Sequence, residues 1–225
     1  MSTKKAAGLK KRLFVILLLF GPAFILVFIG TSKCTHKFKR LDDFGVAAGY
    51  TFTDIHGKER SYKEFDDQVV LVTTLQLTCP DNCAISLWHI DQLVYQKMRR
   101  TIESGGVRII SFVTDGEGNP VEDLSSVDEM LKDRIKDYNP DLWILASGDA
   151  KKVYDFERND EKLLREGDEF YGKQAFQELL LLLDRNNHLR MVLSGKTEGM
   201  IRRMNQHVSL LQKEYDQNQF DESNK

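Results

Sequence analysis

Two cysteines four residues apart, Cys79 and Cys83, are the side chains of this 225-residue chain whose types and spacing could do chemistry. As thiolates, such a pair can close reversibly into a disulfide, exchange with a disulfide of another protein, or hold a soft metal ion such as Cu(I). The third cysteine, Cys34, lies far from both in the sequence, and three cysteines are too few for a disulfide scaffold. We therefore take the pair as the candidate catalytic site.

The sequence around the pair favours reactivity. Residues 69–77 form an apolar, β-branched run that predicts a strand buried on both faces, and an amphipathic helical pattern follows Cys83. The first turn of a helix offers unpaired N–H groups and a partial positive charge, which lower the pKa of a thiol. Pro80 disfavours helical backbone at Cys79, so Cys79 is predicted to lie in the preceding loop, within reach of Cys83. A static disulfide, or a pair of buried thiols without a function, is the alternative interpretation at this point.

Strands alternate with helices along the rest of the chain. Apolar runs predict strands over residues 50–52, 60–62, 69–77, 107–113, 142–146, 179–183 and 189–193. Helical periodicity predicts helices from Cys83 to Gly105 and over residues 125–138, 150–156 and 197–213. This alternation predicts an α/β fold with one sheet, to which the first two strands add an N-terminal β-hairpin. The order of the elements matches a thioredoxin-like fold.

The N-terminal region predicts a single membrane anchor. Leu13–Ile29 is an apolar run of seventeen residues without a charge, which with its flank predicts a transmembrane helix over residues 13–32. A cleavable signal peptide is the alternative, but its apolar region usually has only about 7–15 residues. Five basic residues precede the run and only four follow it, a small contrast. The short N-terminus and the absence of a second hydrophobic run in the sequence favour a cytoplasmic N-terminus and a globular part on the exported side, where thiols can be oxidised.

The remaining boundaries follow from composition. We predict a basic flank, a linker, a globular domain and a polar tail, over residues 1–12, 33–48, 49–215 and 216–225 respectively. Cys34 falls in the linker, and we interpret it as a bystander near the membrane surface. After residue 40 the chain carries 23 Lys/Arg against 34 Asp/Glu, a net charge of −11 that would repel phosphates. We therefore expect no nucleic-acid partner, and the chain has no nucleotide-binding, zinc-protease or serine-hydrolase motif.

Several motifs in a fixed order resemble those of one family. They are Phe52, Asp54 and Gly57-Lys58; residues 69–83; residues 110–113 with Asp115 and Pro120; Trp143–Leu145 with Ser147–Asp149; and residues 181–184 with Leu189-Arg190. Over Tyr50–Leu211 the sequence resembles the Sco/SenC family of membrane-tethered, thioredoxin-fold proteins that assist assembly of the copper site of cytochrome c oxidase. The resemblance implies the same fold and a function in redox or copper chemistry at the two cysteines.

One departure from the family concerns copper. Members that bind copper use both cysteines and a histidine about eight residues before the Asp of the late hairpin turn. Counting back from Asp184 gives Phe176, and residues 172–183 contain no histidine. Gln174 and Gln177 lie nearer that position, but an amide oxygen suits soft Cu(I) poorly. The five histidines of the chain are interpreted as surface residues: His36, His56, His89, His188 and His207.

The sequence thus predicts a membrane-tethered, Sco-like thiol–disulfide redox protein. Cys79 would attack a client disulfide and Cys83 would resolve the mixed disulfide, chemistry that requires no cofactor. By family resemblance the client is a cysteine-bearing copper protein of the respiratory chain, such as cytochrome c oxidase. Two alternatives remain: a copper metallochaperone with Cys79 and Cys83 as ligands and a non-standard third ligand, and a tethered interaction module with a structural disulfide. Whether the protein is an enzyme, a thiol–disulfide oxidoreductase, depends on which of the three holds.

Overall fold

The computed structural model describes residues 17–28, 40–77, 87–103, 106–158, 161–162, 169–170 and 174–223. The chain divides into two compact units, Met1–Lys39 and Arg40–Lys225. In the first unit, residues 17–28 form a helix, α1. No helix within the described ranges is both long and apolar enough to cross a bilayer. The predicted anchor over residues 13–32 extends beyond the described residues on both sides of α1.

The second unit alternates strands with helices. Its strands are β1 (Thr51–Thr53), β2 (Glu59–Ser61), β3 (Val69–Gln76), β4 (Val107–Thr114), β5 (Trp143–Ala146), β6 (Glu157–Arg158), β7 (Glu161–Lys162), β8 (Glu169–Phe170), β9 (Gln174–Ala175), β10 (Leu179–Leu183) and β11 (Leu189–Ser194). Its helices are α2 (residues 87–103), α3 (Ser125–Arg134), α4 (Ala150–Tyr154) and α5 (Glu198–Ser223), with short 3-10 helices at Tyr62–Phe65 and Phe176–Glu178.

A five-stranded sheet organises the unit, in the order β11-β10-β3-β4-β5. Strands β3, β4 and β5 are parallel, whereas β10 runs antiparallel to β3 and β11 antiparallel to β10. The carboxyl ends of the parallel strands therefore lie at the same end of the sheet as the amino end of β10. The first hairpin, β1–β2, pairs separately, and Thr53 joins it to Ser147 just beyond β5. The predicted α/β sheet with an added N-terminal hairpin is confirmed.

Apolar side chains cover both faces of the sheet. Val69 and Leu71 of β3 contribute to one core, together with apolar residues of α2, α3 and α5. Val70 and Val72 point to the opposite face, where α4 and the β1–β2 hairpin pack. Burial on both faces explains why β3 and β4 are continuous apolar runs in the sequence rather than alternating ones.

Helix α2 follows residues 78–86, the cysteine segment, in which Cys79 and Cys83 lie. It contains one π-helical turn at Asp91–Tyr95. Asp91 is 4% exposed, and its carboxylate accepts hydrogen bonds from the amides of Gln92 (2.6 Å) and Gln96 (2.9 Å). The wider turn brings residues five apart to the same side, which allows Gln96 to satisfy Asp91. The helix thereby buries a carboxylate next to its apolar face without leaving it unpaired.

Two helix ends differ by more than two residues from those predicted. Helix α3 ends at Arg134 rather than at Tyr138, because Ile135 is extended and Asp137 has a φ of 55°. Helix α5 continues to Ser223, through most of the predicted polar tail. Residues 214–223 contain neither Gly nor Pro, so nothing in the sequence ends that helix at residue 213 as predicted.

Residues 40–48, which the sequence assigns to a linker, are bound to the β10–β11 hairpin. Phe44 donates to the carbonyl of Leu189 (2.9 Å), and Leu189 donates back to Gly45 (2.8 Å). Leu41 and Ala47 are buried. The apolar residues of this stretch show neither helix nor strand periodicity. Its partner strand lies about 140 residues later in the sequence, so local patterns cannot predict the pairing.

Arg190 of β11 holds this segment in place. Its guanidinium is 9% exposed and donates to the carbonyls of Leu41 (2.8 Å) and Asp42 (3.1 Å) and to the carboxylate of Asp184 (3.0 Å). A second carboxylate, Glu214 of α5, lies 3.4 Å away. One buried cation therefore ties together the start of the unit, the hairpin turn and the last helix.

Replacing Arg190 by Ala is expected to lower the free energy of unfolding by about 3–5 kcal/mol, because it leaves Asp184 buried without its partner. Urea unfolding followed by tryptophan fluorescence measures this. The control is Arg202→Ala, which removes an exposed ion pair with Glu198 and should cost no more than about 0.5 kcal/mol. Equal costs for the two substitutions would contradict a bracing role for Arg190.

Candidate functional site

The cysteine segment follows the carboxyl end of strand β3 in the sequence. Cys79 and Cys83 lie in residues 78–86, which are outside the described residues, as is Cys34. The structure describes the two ends of that segment. At one end, Leu77 donates its N–H to the carbonyl of Thr114 (2.9 Å), the last bond between the β3 and β4 chains. At the other end, the described part of α2 begins at Leu87. A strand therefore leads directly into the pair and a helix follows it.

The 3-10 helix Phe176–Glu178 lies beside the end of β3. The register of β10 on β3 pairs Leu181 with Val72, so the chain just before β10 runs alongside the last residues of β3. Thr74 donates its hydroxyl to the carbonyl of Gln177 over 2.6 Å, which fixes this contact. Asp184 lies in the β10–β11 turn and accepts N–H groups of Asn186 and His188. Phe176, eight residues before Asp184, thus lies close to the carboxyl end of β3, where the cysteine segment begins.

Phe176 is a buried apolar residue near the carboxyl end of β3. It is 1% exposed, and its ring lies edge-on to that of Tyr154 with 5.5 Å between the centroids. The ammonium of Lys151 lies 5.9 Å from the centre of the same ring. Tyr154 donates its hydroxyl to the carbonyl of Leu179 (2.9 Å), and burial raises the pKa of Tyr154. Phe176, which the count of eight residues from Asp184 reaches, is therefore part of the core in this chain.

The loop after β4 closes over Phe176. Gly118 has a φ of +82°, and a Cβ built on it would lie 2.6 Å from the tip of the Phe176 ring, so only glycine fits. Asp115 shapes the loop by accepting hydrogen bonds from Asn119 and Glu117. The side-chain amide of Asn119, followed by backbone N–H groups, holds the pKa of Asp115 below its ordinary value. The loop is thus built to cover an aromatic ring.

Gln177 makes a polar contact at the same end of the sheet. The side-chain amide of Gln177 donates to the hydroxyl of Thr114 (3.2 Å) and to the carbonyl of Asp115 (2.9 Å). It therefore joins the 3-10 helix to the end of β4 across the point where β3 ends. From the sequence alone, Gln177 is a candidate only for a metal ligand. No periodicity or motif reveals its contacts, since they join residues more than 60 positions apart.

Of the described histidines, His56 is exposed, whereas the prediction of a surface position is wrong for His89 and His207, whose ring nitrogens (Nδ1 of His89, both of His207) are buried. The Nδ1 atom of His188 lies 2.8 Å from Asp43, and its hydrogen bond lowers the pKa of Asp43. The ring of His89 lies edge-on to exposed Trp88, with 5.2 Å between centroids. Within the part of the chain that the structure describes, no three His, Cys, Asp or Glu side chains converge as a metal site.

Comparisons with known proteins identify the fold. No protein-family model matches the sequence, and no curated protein matches it in sequence. Among solved structures it is similar to BsSco, described as a member of the Sco family of cytochrome c oxidase assembly proteins with a disulfide switch. The two are 17% identical, with 76% of this chain and 98% of that chain covered and a TM-score of 0.51.

Two further solved structures are similar. A putative protein disulfide isomerase from Bacteroides thetaiotaomicron is 14% identical, covers 80% of this chain and 99% of its own, and has a TM-score of 0.54. A SCO1/SenC family lipoprotein from Bacillus anthracis is 17% identical, covers 75% of this chain and 95% of its own, and has a TM-score of 0.50. These likenesses confirm the thioredoxin-like α/β fold, and two of the three structures are described as Sco or SCO1/SenC family proteins.

Proposed function

We propose that this chain is a thiol–disulfide exchange protein whose reactive groups are Cys79 and Cys83. The observation that carries the proposal is the position of residues 78–86, between the carboxyl end of the central strand β3 and helix α2. Ligand and catalytic groups of α/β sheets are usually found beyond the carboxyl ends of strands. A thiol there, just before a helix, is favoured as a thiolate. Structural neighbours that include a putative disulfide isomerase support the same chemistry.

The exchange proceeds in two displacements. The thiolate of Cys79 attacks one sulfur of a client disulfide, which forms a mixed disulfide and releases the other client sulfur as a thiolate. The thiolate of Cys83 then attacks the Cys79 sulfur and releases the second client thiolate. The client gains two electrons and, at neutral pH, takes up two protons, while the pair becomes a disulfide. A dithiol reductant outside this chain reduces the pair again.

Redox exchange is favoured over copper delivery because of Phe176. Two thiolates can hold Cu(I), but Cu(II) prefers nitrogen ligands, and the position of the family's histidine carries a buried phenyl ring. Lys151 lies against that ring and adds a positive charge beside it. Copper binding by the two cysteines alone is the metallochaperone alternative, and the copper experiment below decides between the two.

The client and the location are further parts of the proposal. By resemblance to the Sco family, the client is a cysteine-bearing copper protein of the respiratory chain. The apolar run at residues 13–29 would tether the domain to the membrane, with the globular part on the exported side. A disulfide can persist in that compartment, which makes the location and the chemistry consistent.

The exchange reaction predicts a two-electron couple between Cys79 and Cys83. In glutathione buffers of graded potential, followed by thiol alkylation and mass spectrometry, both thiols should change together at a potential above about −300 mV. Cys34→Ser should leave the midpoint unchanged, whereas Cys83→Ser should abolish the couple. Free thiols under mild oxidant would overturn exchange, and a midpoint below that value would favour a structural disulfide.

Phe176 predicts weak copper binding by the unmodified chain, with Cu(II) bound more weakly than Cu(I). Phe176→His should tighten Cu(II) binding by about tenfold or more, because the backbone at residue 177 lies against β3 and imidazole suits copper. The matched control is Phe65→His, which buries an imidazole at the opposite edge of the sheet and should not change copper affinity. Titration followed by thiolate-to-copper absorption measures both. Tight, stoichiometric Cu(II) binding by the unmodified chain would instead favour the metallochaperone.

The tether predicts that a reporter fused after Lys225 is active on the exported side of the membrane. An alkaline phosphatase fusion should be active and a fusion to a cytoplasm-dependent fluorescent protein should be dark. Deleting residues 1–32 should reverse both results, because it removes the apolar run. Cytoplasmic fluorescence of the full-length fusion would contradict the proposed location, and with it the argument that an exchangeable disulfide can persist there.

A further inference from the structure

A cleft of about 370 Å³ lies between the β1–β2 hairpin and helix α3. Five carboxylates and one ammonium line it, which gives it a formal charge of −4. A concentration of negative charge in a cleft attracts cations. None of these side chains takes part in the proposed exchange reaction. The charged residues that line the cleft are Asp54, Glu122, Asp123, Asp128, Glu129 and Lys132.

Two of the carboxylates are fixed by backbone N–H groups. Asp54 is buried, and its Oδ1 atom accepts hydrogen bonds from the N–H groups of His56 (2.9 Å) and Lys58 (3.0 Å), which close the turn of the hairpin. Asp123 accepts the N–H of Ser125 (3.0 Å) at the start of α3. Local hydrogen bonds therefore hold both sides of the cleft and keep these two charges in place.

Asp128 has an incomplete set of partners. It is 8% exposed, and its Oδ2 atom lies 2.6 Å from the ammonium of Lys132. Its Oδ1 atom is buried and receives no hydrogen bond from the described residues. The hydroxyl of Tyr138 is close enough that burial, and then the charge of Asp128, raise the pKa of Tyr138, yet that hydroxyl is also without a partner among the described residues. A buried carboxylate oxygen without a donor is unfavourable, so a donor that enters the cleft would be stabilised there.

Lys132 satisfies only one oxygen of this carboxylate. Its side chain is 58% exposed, and exposed ion pairs of this kind are easily broken. An ammonium acts as a point charge, whereas the planar guanidinium of an arginine donates two parallel N–H bonds to both oxygens of a carboxylate. The terminal torsion of an aspartate is soft, so the carboxylate can turn toward such a donor. A guanidinium would thus supply what Oδ1 lacks, while Lys132 returns to solvent.

The cleft suits an organic cation rather than a metal ion. In the described part of the chain, no three acidic, His or Cys side chains converge closely enough to hold a metal. Partly buried Ile55 and buried Leu124 also line the cleft, and they provide apolar contacts for the methylene stem of an arginine. A free amino acid would bring its own carboxylate into this negative field, whereas an arginine within a polypeptide has none.

We propose that this cleft binds an arginine side chain of a partner protein, whose guanidinium pairs with both oxygens of Asp128. Thr53 and Ser125, which line the cleft, are exposed, so the cleft opens at the protein surface. The backbone of the partner can therefore stay outside while the side chain enters. This binding is independent of the cysteine chemistry.

The test is an NMR titration of the full chain, in a nonionic detergent, with the capped peptide acetyl-Ala-Arg-Ala-amide. The amide resonances of residues 53–57 and 122–129 should shift saturably. The matched peptide with citrulline, which has nearly the same shape but no charge, should not shift them. Free arginine should bind about threefold more weakly or worse, because its carboxylate is repelled. Added salt should weaken the binding of the arginine peptide by screening the charges.

Two variants should change the affinity in opposite directions. Asp128→Asn should weaken binding of the arginine peptide by about tenfold, because it removes a charge-assisted pair of hydrogen bonds. Lys132→Ala should tighten binding by about twofold to fivefold, because it removes the competing ammonium. If the ion pair between these residues served only to hold the cleft in shape, both variants would weaken binding alike.

The matched control is Asp133→Asn, which makes the same charge change at an exposed residue of α3 outside the cleft and should leave the affinity unchanged. Glu129→Gln changes an exposed residue that lines the cleft, and it should weaken binding by about twofold to threefold. It still tests the cleft if Asp128→Asn fails to fold. The proposal would be overturned by equal binding of the citrulline peptide, by no shift with the arginine peptide, or by an unchanged affinity in folded Asp128→Asn or Glu129→Gln.

Discussion

The burial of β3 is the constraint on which the rest of the structure depends. Residues 69–72 are at most 3% exposed, with β10 along one edge, β4 along the other, and apolar side chains covering both faces. A strand enclosed in this way can present a reactive residue only beyond one of its ends. The parallel strands place that end next to the loop after β4 and the amino end of β10, so the candidate site is assembled from chain ends around a rigid strand.

One short 3-10 helix contributes both to the core and to the polar contacts near the end of β3. Within Phe176–Glu178, the first side chain enters the core beside Tyr154, while the second reaches across the edge to Thr114 and Asp115. A change that disturbs the aromatic contact would therefore also move the polar one. The ring of Phe176 is packed under the loop after β4, so the core contact also supports the polar contact beside it.

Local pattern analysis could predict the parts of the fold that local physics decides. The apolar runs of β3, β4 and β10 were recognisable because strands covered on both faces cannot alternate, and the cysteine pair was recognisable from its spacing and its place after β3. The pairing of residues 44–46 with β11, the burial of Arg190 and the contacts of Gln177 depend on partners 60 to 149 positions away. An arginine within a strand resembles a surface residue until its partners are known. The sequence could therefore predict a candidate site at the cysteine pair, but not the long-range contacts of the residues around β3.

The bonds of Arg190 to Leu41 and Asp42 decide where a soluble fragment of this protein should begin. A fragment starting at residue 49, where the strand pattern begins, would leave a buried guanidinium without two of its carbonyl acceptors and would uncover the edge of β11. Unpaired strand edges recruit strands from other molecules, so such a fragment would tend to self-associate. A fragment starting at Arg40 keeps the edge covered, at the cost of only nine more residues.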